Sequence, residues 1–147
     1  MTSTSNTRSD FSIAFDTTAY SHLVRGNSEV ATLLRIADLI VMPQQTVAEL
    51  KVGFAFGSLQ KENEAYLARF LTSNKVALVY PDEVTTEYYV ALFSYARRKG
   101  RRLSHNDLWI AALAAQHGTE LVSFDNDFDG LTGFKGLRLQ VLNDKLN

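Results

Sequence analysis

Four short apolar runs constrain this chain most. Residues 11–15 (FSIAF), 39–42 (LIVM), 76–80 (VALVY) and 121–124 (LVSF) are too short for buried helices and carry the residue types of buried strands. Between them lie segments with helical periodicity. Residues 17–25 form a helix ended by Gly26-Asn27, and Ser28 caps a second helix through Ile36. Thr46 begins a helix with Val47, Leu50 and Phe54 on one face, broken at Gly57-Ser58. Leu59, Tyr66, Leu67, Phe70 and Leu71 mark the next helix, and Val84, Tyr88, Leu92 and Tyr95 mark another. Ser104 starts a helix that runs through Gln116 and stops at Gly118, and residues 137–142 supply a last strand. Strand alternating with helix predicts an α/β fold: a mainly parallel sheet covered by helices on both faces. Strand order is not readable from the sequence.

In such a sheet every C-terminal strand end opens on one edge, where open α/β sheets bind ligands. Four carboxylates stand where strand gives way to helix: Asp16, Glu49, Asp107 and Asp125. Each has a structural explanation by itself. Thr46-x-x-Glu49 and Ser104-x-x-Asp107 have capping-box spacing, Asp16 serves as an N-cap, and Asp125 as a turn residue. Together they make a cluster of like charges, which repels itself and raises its own pKa values unless a cation occupies it. All-oxygen clusters suit hard divalent ions such as Mg²⁺ or Mn²⁺. The residues therefore point to a metal-dependent phosphodiester hydrolase. Asp16, Asp107 and Asp125 are the expected ligands, with Glu49 binding through water or taking a proton from the nucleophile. Asp127 is a candidate fifth acid.

The 147 residues carry a formal net charge of −1 and no cysteine. Disulfides, thiolate metal sites and a cysteine nucleophile are excluded, and a cytoplasmic location fits. One domain is expected over residues 11–147, preceded by a flexible polar tail at residues 1–10 that lacks the apolar core of a signal peptide. The longest apolar run, residues 108–115, is far below the ~18 residues of a membrane span. With so little net charge, nucleic-acid binding must rest on a local patch. Residues 97–102, RRKGRR, put five cations in six positions just before Asp107. They read either as solvated charges at a helix C-terminus or as a phosphate grip through Arg101 and Arg102.

Four motifs, in order, give a resemblance. Asp16-Thr17-Thr18-Ala19-Tyr20 is similar to a D-T-x-x-L turn, and Thr46-Val47-Ala48-Glu49-Leu50-Lys51-Val52-Gly53 matches T-x-x-E-L-x-x-G. Asp107-Leu108-Trp109-Ile110-Ala111-Ala112 matches D-x-x-I-A-A, and Leu121-Val122-Ser123-Phe124-Asp125-Asn126-Asp127-Phe128 resembles L-V-T-x-D-x-D-F. The chain resembles PIN-domain proteins, specifically the VapC-type toxin ribonucleases of toxin–antitoxin pairs, over about residues 11–142. The departures are Thr18 for Asn or Ser, Tyr20 for an aliphatic residue and Ser123 for Thr, and none removes a carboxylate. The resemblance implies a three-layer α/β/α sandwich, Mg²⁺- or Mn²⁺-dependent RNA cleavage, a cognate antitoxin and a homodimer. Thr17 and Ser123 join Arg101 and Arg102 as expected substrate-binding residues.

Other residues carry less. Trp109 and Tyr20 read as core side chains, with base stacking as the alternative. His105 reads as a surface residue near a helix start, with RNA contact as the alternative. Phe54, Phe56, Tyr66 and Phe70 exceed what one helical face needs, leaving apolar surface for a dimer seam or an antitoxin helix. Thr18 stands where a haloacid-dehalogenase-like phosphotransferase needs its second Asp, and glycine-rich phosphate loops and a serine elbow are absent. The rivals that survive are a non-catalytic RNA- or partner-binding module and an RNA-processing nuclease without an antitoxin.

Overall fold

The apolar runs pair as the alternation requires. The computed structural model describes residues 10–143. In it β1 (Ser12–Phe15), β2 (Leu39–Pro43), β3 (Val76–Val79), β4 (Glu120–Ser123) and β5 (Arg138–Val141) form one sheet in the order β3-β2-β1-β4-β5. Every pairing is parallel, with Ala14 opposite Val41 on one side and Leu121 on the other. The tail expected at residues 1–10 lies outside the described residues, apart from Asp10.

Alternation along the central strands builds two cores. Ile13, Phe15, Ile40, Met42 and Val122 face α1 (Thr17–Val24), α2 (Ser28–Ile36), α3 (Gln44–Ala55) and α4 (Gln60–Leu71), packing with Tyr20, Val30, Leu50 and Leu67. Ala14, Val41 and Leu121 face α5 (Glu83–Arg98), α6 (His105–Gln116) and a 3₁₀ turn over Asn126–Leu131. The chain is thus a three-layer α/β/α sandwich. Helix α6 is apolar nearly all round, as a helix walled in by sheet and α5 must be: Leu108 and Ile110 through Ala115 are all buried.

Several local expectations are corrected. Helix α3 begins at Gln44, two residues before Thr46, because Pro43 (φ −61°, ψ 140°) closes β2 and enters the helix directly. Thr46 is therefore inside the helix, fully buried, and its hydroxyl donates to the Phe15 carbonyl over 2.9 Å. No capping box links Thr46 to Glu49, so Glu49 is left without its structural explanation. Asn27, not Ser28, caps α2 by accepting from the Val30 amide. Val84 is 49% exposed, and the buried face of α5 runs through Thr85, Leu92 and Ala96. The 3₁₀ turn after β4 has no counterpart among the sequence expectations. Its Phe128 and Leu131 are buried in the α5–α6 core, and they fix the turn below the sheet edge. Among the described residues no helix is long and apolar enough to cross a membrane.

Candidate active site at the sheet edge

Strand order decides where a ligand belongs. The chain runs from β1 outward through β2 to β3, then returns to the other side of β1 with β4. The crevice at the C-terminal ends of β1 and β4 is the point where direction reverses, the preferred ligand site of open α/β sheets. Asp16 directly follows β1, and Asp125 lies two residues past β4. Helix α3 brings Glu49 from one layer, and the first turn of α6 brings Asp107 from the other.

Asp16 is the buried floor of this edge, only 3% exposed. Its Oδ1 accepts from the Ala19 amide over 2.9 Å, capping α1, and from the Thr18 hydroxyl over 2.8 Å. Its Oδ2 accepts from the Ser123 hydroxyl over 2.6 Å. Thr18 and Ser123 then accept the amides of Phe124 and Asp125, at 2.8 and 2.9 Å, and tie the end of β4 to the start of α1. Burial pushes the Asp16 carboxyl above its ordinary range, the Ser123, Ala19 and Thr18 bonds pull it back, and the Asp125 charge adds to the rise.

Above this floor the structure gathers Asp107, Asp125 and Asp127, which each offer an oxygen within 4.8 Å of the others. Asp107 and Asp125 are half-buried and Asp127 is exposed. Asp125 caps the 3₁₀ turn through the Asp127 amide at 2.9 Å, so one turn sets both acids. Ser104 caps α6 through the Asp107 amide at 3.1 Å, which orients Asp107 on the first turn. Desolvation, then the charges of Asp125 and Glu49 and, more weakly, Asp16, push Asp107 up to about 6. All four acids singled out from the sequence therefore share one field. Glu49 is exposed and accepts a hydrogen bond from Thr17, so Thr17 joins the edge through it.

A donor set of carboxylates alone, with one pKa driven up by burial and then by its acidic neighbours, suits a hard divalent cation. Asp107, Asp125 and Asp127 are close enough to share it, with Asp16, expected as a ligand, in the same field and Glu49 at the rim.

The basic run lies beside this edge. Arg97, Arg101 and Arg102 line a cleft of ≈ 470 Å³ with Phe93, Leu103 and His105, next to the α6 turn that carries Asp107. Among the described residues no carboxylate pairs with Arg97, Arg98, Arg101 or Arg102. Gly130 in the 3₁₀ turn makes this approach possible. A Cβ there would lie 3.0 Å from the Arg101 Cβ and 3.2 Å from Leu103 Cδ1. Trp109 is half-buried and stacks on Tyr89 with ring centroids 4.3 Å apart, and buried Tyr20 packs edge-on against Phe70.

The PIN-domain family model matches residues 13–133. The chain belongs to the PIN-domain family. It is similar to Ribonuclease VapC5 of Mycobacterium tuberculosis, 30% identical over 98 residues that span 67% of this chain and 73% of that protein. Ribonuclease VapC1 of Haemophilus influenzae (strain R2866) is 33% identical over 96 residues, 65% of this chain and 70% of that one. Among solved structures, VapBC-5 of the VapBC toxin–antitoxin family from M. tuberculosis superposes with a TM-score of 0.70 at 25% identity, covering 89% of this chain and 98% of that one. VapBC2 from Rickettsia felis, solved on a promoter DNA fragment, shares the fold with a TM-score of 0.73 at 20% identity and the same coverage.

In this PIN domain, sequence reasoning had no clear signal for Gly130 or for Thr18 as the link between Asp16 and β4. Gly130 matters only because residue 101 passes over it, a contact across 29 positions that no local pattern encodes. The raised Asp107 pKa has two consequences. Its folded value, about 6, exceeds the ordinary 3.8, so the folded metal-free PIN domain binds this proton more tightly than the unfolded chain. That contribution to stability is fully present below about pH 4 and lost as pH rises through about 6. Thermal melts of metal-free protein across this window are expected to fall more steeply for wild type than for Asp107→Asn, and equal slopes would contradict the shift. Divalent-metal affinity is expected to drop below about pH 6, where protons compete for Asp107.

Proposed function

We propose that this chain is a Mg²⁺- or Mn²⁺-dependent endoribonuclease that hydrolyses RNA phosphodiester bonds, acting in the cytoplasm as the toxin of a toxin–antitoxin pair. The observation that carries the reading is the convergence of Asp107, Asp125 and Asp127 within 4.8 Å at the switch point of the sheet, with Asp16 and Glu49 in the same field. The names of its relatives, Ribonuclease VapC5 and VapC1, support the substrate class.

The chemistry follows from the donor set. A divalent ion held by these acids would supply a lowered pKa for the attacking water and offset charge that builds on the phosphoryl oxygens. Asp107, Asp125 and Asp127 fix the place of that charge. Glu49, exposed and hydrogen-bonded by Thr17, accepts the proton of the attacking water. Asp16, expected as a ligand, adds its charge to the acidic field and also accepts from Ser123, which holds the 3₁₀ turn in register with β1. Ser123 is fully buried, so it acts through Asp16 and the Asp125 amide, while Arg101 and Arg102 hold the RNA backbone. Attack by water leaves a 5′-phosphate and a 3′-hydroxyl.

Partners follow from surface left uncovered. Phe56 is 89% exposed, with Val52, Leu59 and Tyr66 also exposed from the second half of α3 to the middle of α4. This apolar ridge supports a seat for an antitoxin segment or a second copy of the chain. The VapBC structures it resembles are toxin–antitoxin complexes.

A Mn²⁺ titration of the purified chain separates this reading from a module whose acids are only caps. Joint binding that Asp107→Asn and Asp125→Asn each weaken is expected, and capping acids would show none. An Arg101→Ala/Arg102→Ala variant is expected to keep Mn²⁺ affinity and to lose RNA affinity. Its binding should show a shallower salt dependence, reduced by about one to two counterions. An unchanged salt slope would remove the basic run from the RNA path.

A further inference from the structure

The cleft beside the acidic edge has one wall that charge alone does not explain. Tyr89, Phe93 and His105 form a triangle of rings with centroids 6.2, 6.3 and 6.3 Å apart. Their planes lie within 13–31° of one another, so the three make a tile and not a herringbone cluster. The Tyr89 hydroxyl is hydrogen-bonded to the His105 Nδ1, which joins those two rings edge to edge. Trp109 backs the tile, stacked on Tyr89 at 4.3 Å. Core packing accounts for Trp109 and for one face of Tyr89. It does not account for Phe93, 37% exposed, or for His105, exposed, both of which line the cleft. Two exposed rings bordering a cleft with Arg97, Arg101 and Arg102, none paired with a carboxylate among the described residues, form a mixed surface of cations and aromatic side chains.

That combination has one natural occupant. Single-stranded nucleic acids are held by stacking bases on aromatic side chains while cations track the backbone. A duplex cannot use such a tile, because its bases are already stacked, and sequence-specific RNA recognition favours unpaired loops and bulges for that reason. His105 and Asp107, two positions apart, project from different sides of the first turn of α6, and the cleft is joined to the acidic edge through Arg101, which packs over Gly130 of the 3₁₀ turn that follows Asp125.

We propose that Phe93, Tyr89 and His105 form a stacking subsite for one unpaired base of the RNA substrate, with Arg97, Arg101 and Arg102 holding the adjoining phosphates. This rests on the ribonuclease reading above. It adds that the substrate presents at least one unpaired base to the cleft lined by Arg97, Arg101 and Arg102. Phe93 and His105 supply the accessible surface, Tyr89 locks His105 in plane, and Trp109 supports Tyr89 from behind.

The test compares a short oligoadenylate with an abasic ribose-phosphate chain of equal length and charge, with binding measured in EDTA at fixed salt. Wild type is expected to bind the oligoadenylate about 5- to 150-fold more tightly, the range of one base–aromatic stack. Phe93→Ala and His105→Ala should lose most of that preference while their affinity for the abasic chain stays constant. Phe93→Trp should keep it, and thermal melts confirm that each variant is folded. Equal binding of the two chains by wild type, or a parallel loss of both in the variants, would overturn the subsite and leave the ribonuclease reading standing. No binding of either chain by wild type, together with no cleavage of RNA, would overturn both.

Discussion

Replacing Asp107 by Asn is expected to abolish RNA cleavage, with a loss of about a thousand-fold or more. That scale corresponds to the several kcal/mol a bound metal contributes to charge stabilisation in the transition state. Asp107 is where the constraints meet. It belongs to the group of three acids within 4.8 Å, and it receives the fields of Asp125, Glu49 and Asp16 at once. Asn keeps the shape and leaves the cap of α6 intact, because that bond uses the Asp107 amide and the Ser104 hydroxyl. The variant should therefore fold normally, bind Mn²⁺ more weakly and be more stable than wild type when metal-free at neutral pH. Cleavage kinetics and a denaturant titration on one preparation check both halves. A variant that loses activity by unfolding would show the reverse change in stability.

Asp16 should behave differently, since it is structural support as well as part of the acidic field. Asp16→Ala strips acceptors from the Ala19 amide and from the Thr18 and Ser123 hydroxyls. Loss of an N-cap costs about 1 kcal/mol, and orphaned buried donors add about 1–3 kcal/mol, so a total destabilisation of roughly 2–4 kcal/mol is expected. Asp16→Asn keeps an acceptor for α1 and removes the charge that burial disfavours, so stability should change by less than about 1 kcal/mol. Both variants should lose cleavage, because both remove a negative charge from the acidic field, and Asp16→Ala also removes support of the Asp125 turn through Ser123. Chemical denaturation of the two side by side measures the difference. Equal stabilities would mean that the network carries no net energy.

Much of this was legible in the chain because the period of each segment is written locally. Short apolar runs such as FSIAF and LIVM admit one interpretation, and their alternation with helices dictates a parallel sheet before any contact is known. The acids were legible for the same reason, since each sits at an element boundary. Caps were harder. Thr46 sat in a capping pattern that Pro43 pre-empted, and Asn27 took the role expected of Ser28, because boundaries shift by a residue or two at little energetic cost. Long-range facts were not legible at all. The bond from Thr18 to the Phe124 amide, the passage of Arg101 over Gly130 and the Tyr89–His105 pair join residues 16 to 106 positions apart. Strand order, which makes the β1–β4 crevice the site, belongs to the same class.

The measurement that bears most directly on the central claim is cleavage of total bacterial RNA by the purified chain, freed of bound partners, with and without Mg²⁺ or Mn²⁺, followed by mapping of the product ends. Discrete cuts that leave 5′-phosphates and vanish in EDTA are the predicted result. Cuts that persist in EDTA, or that leave cyclic phosphates, would contradict a metal-dependent attack by water at the Asp107–Asp125–Asp127 edge. A folded, Mn²⁺-binding chain that cleaves no RNA under any metal would contradict it equally.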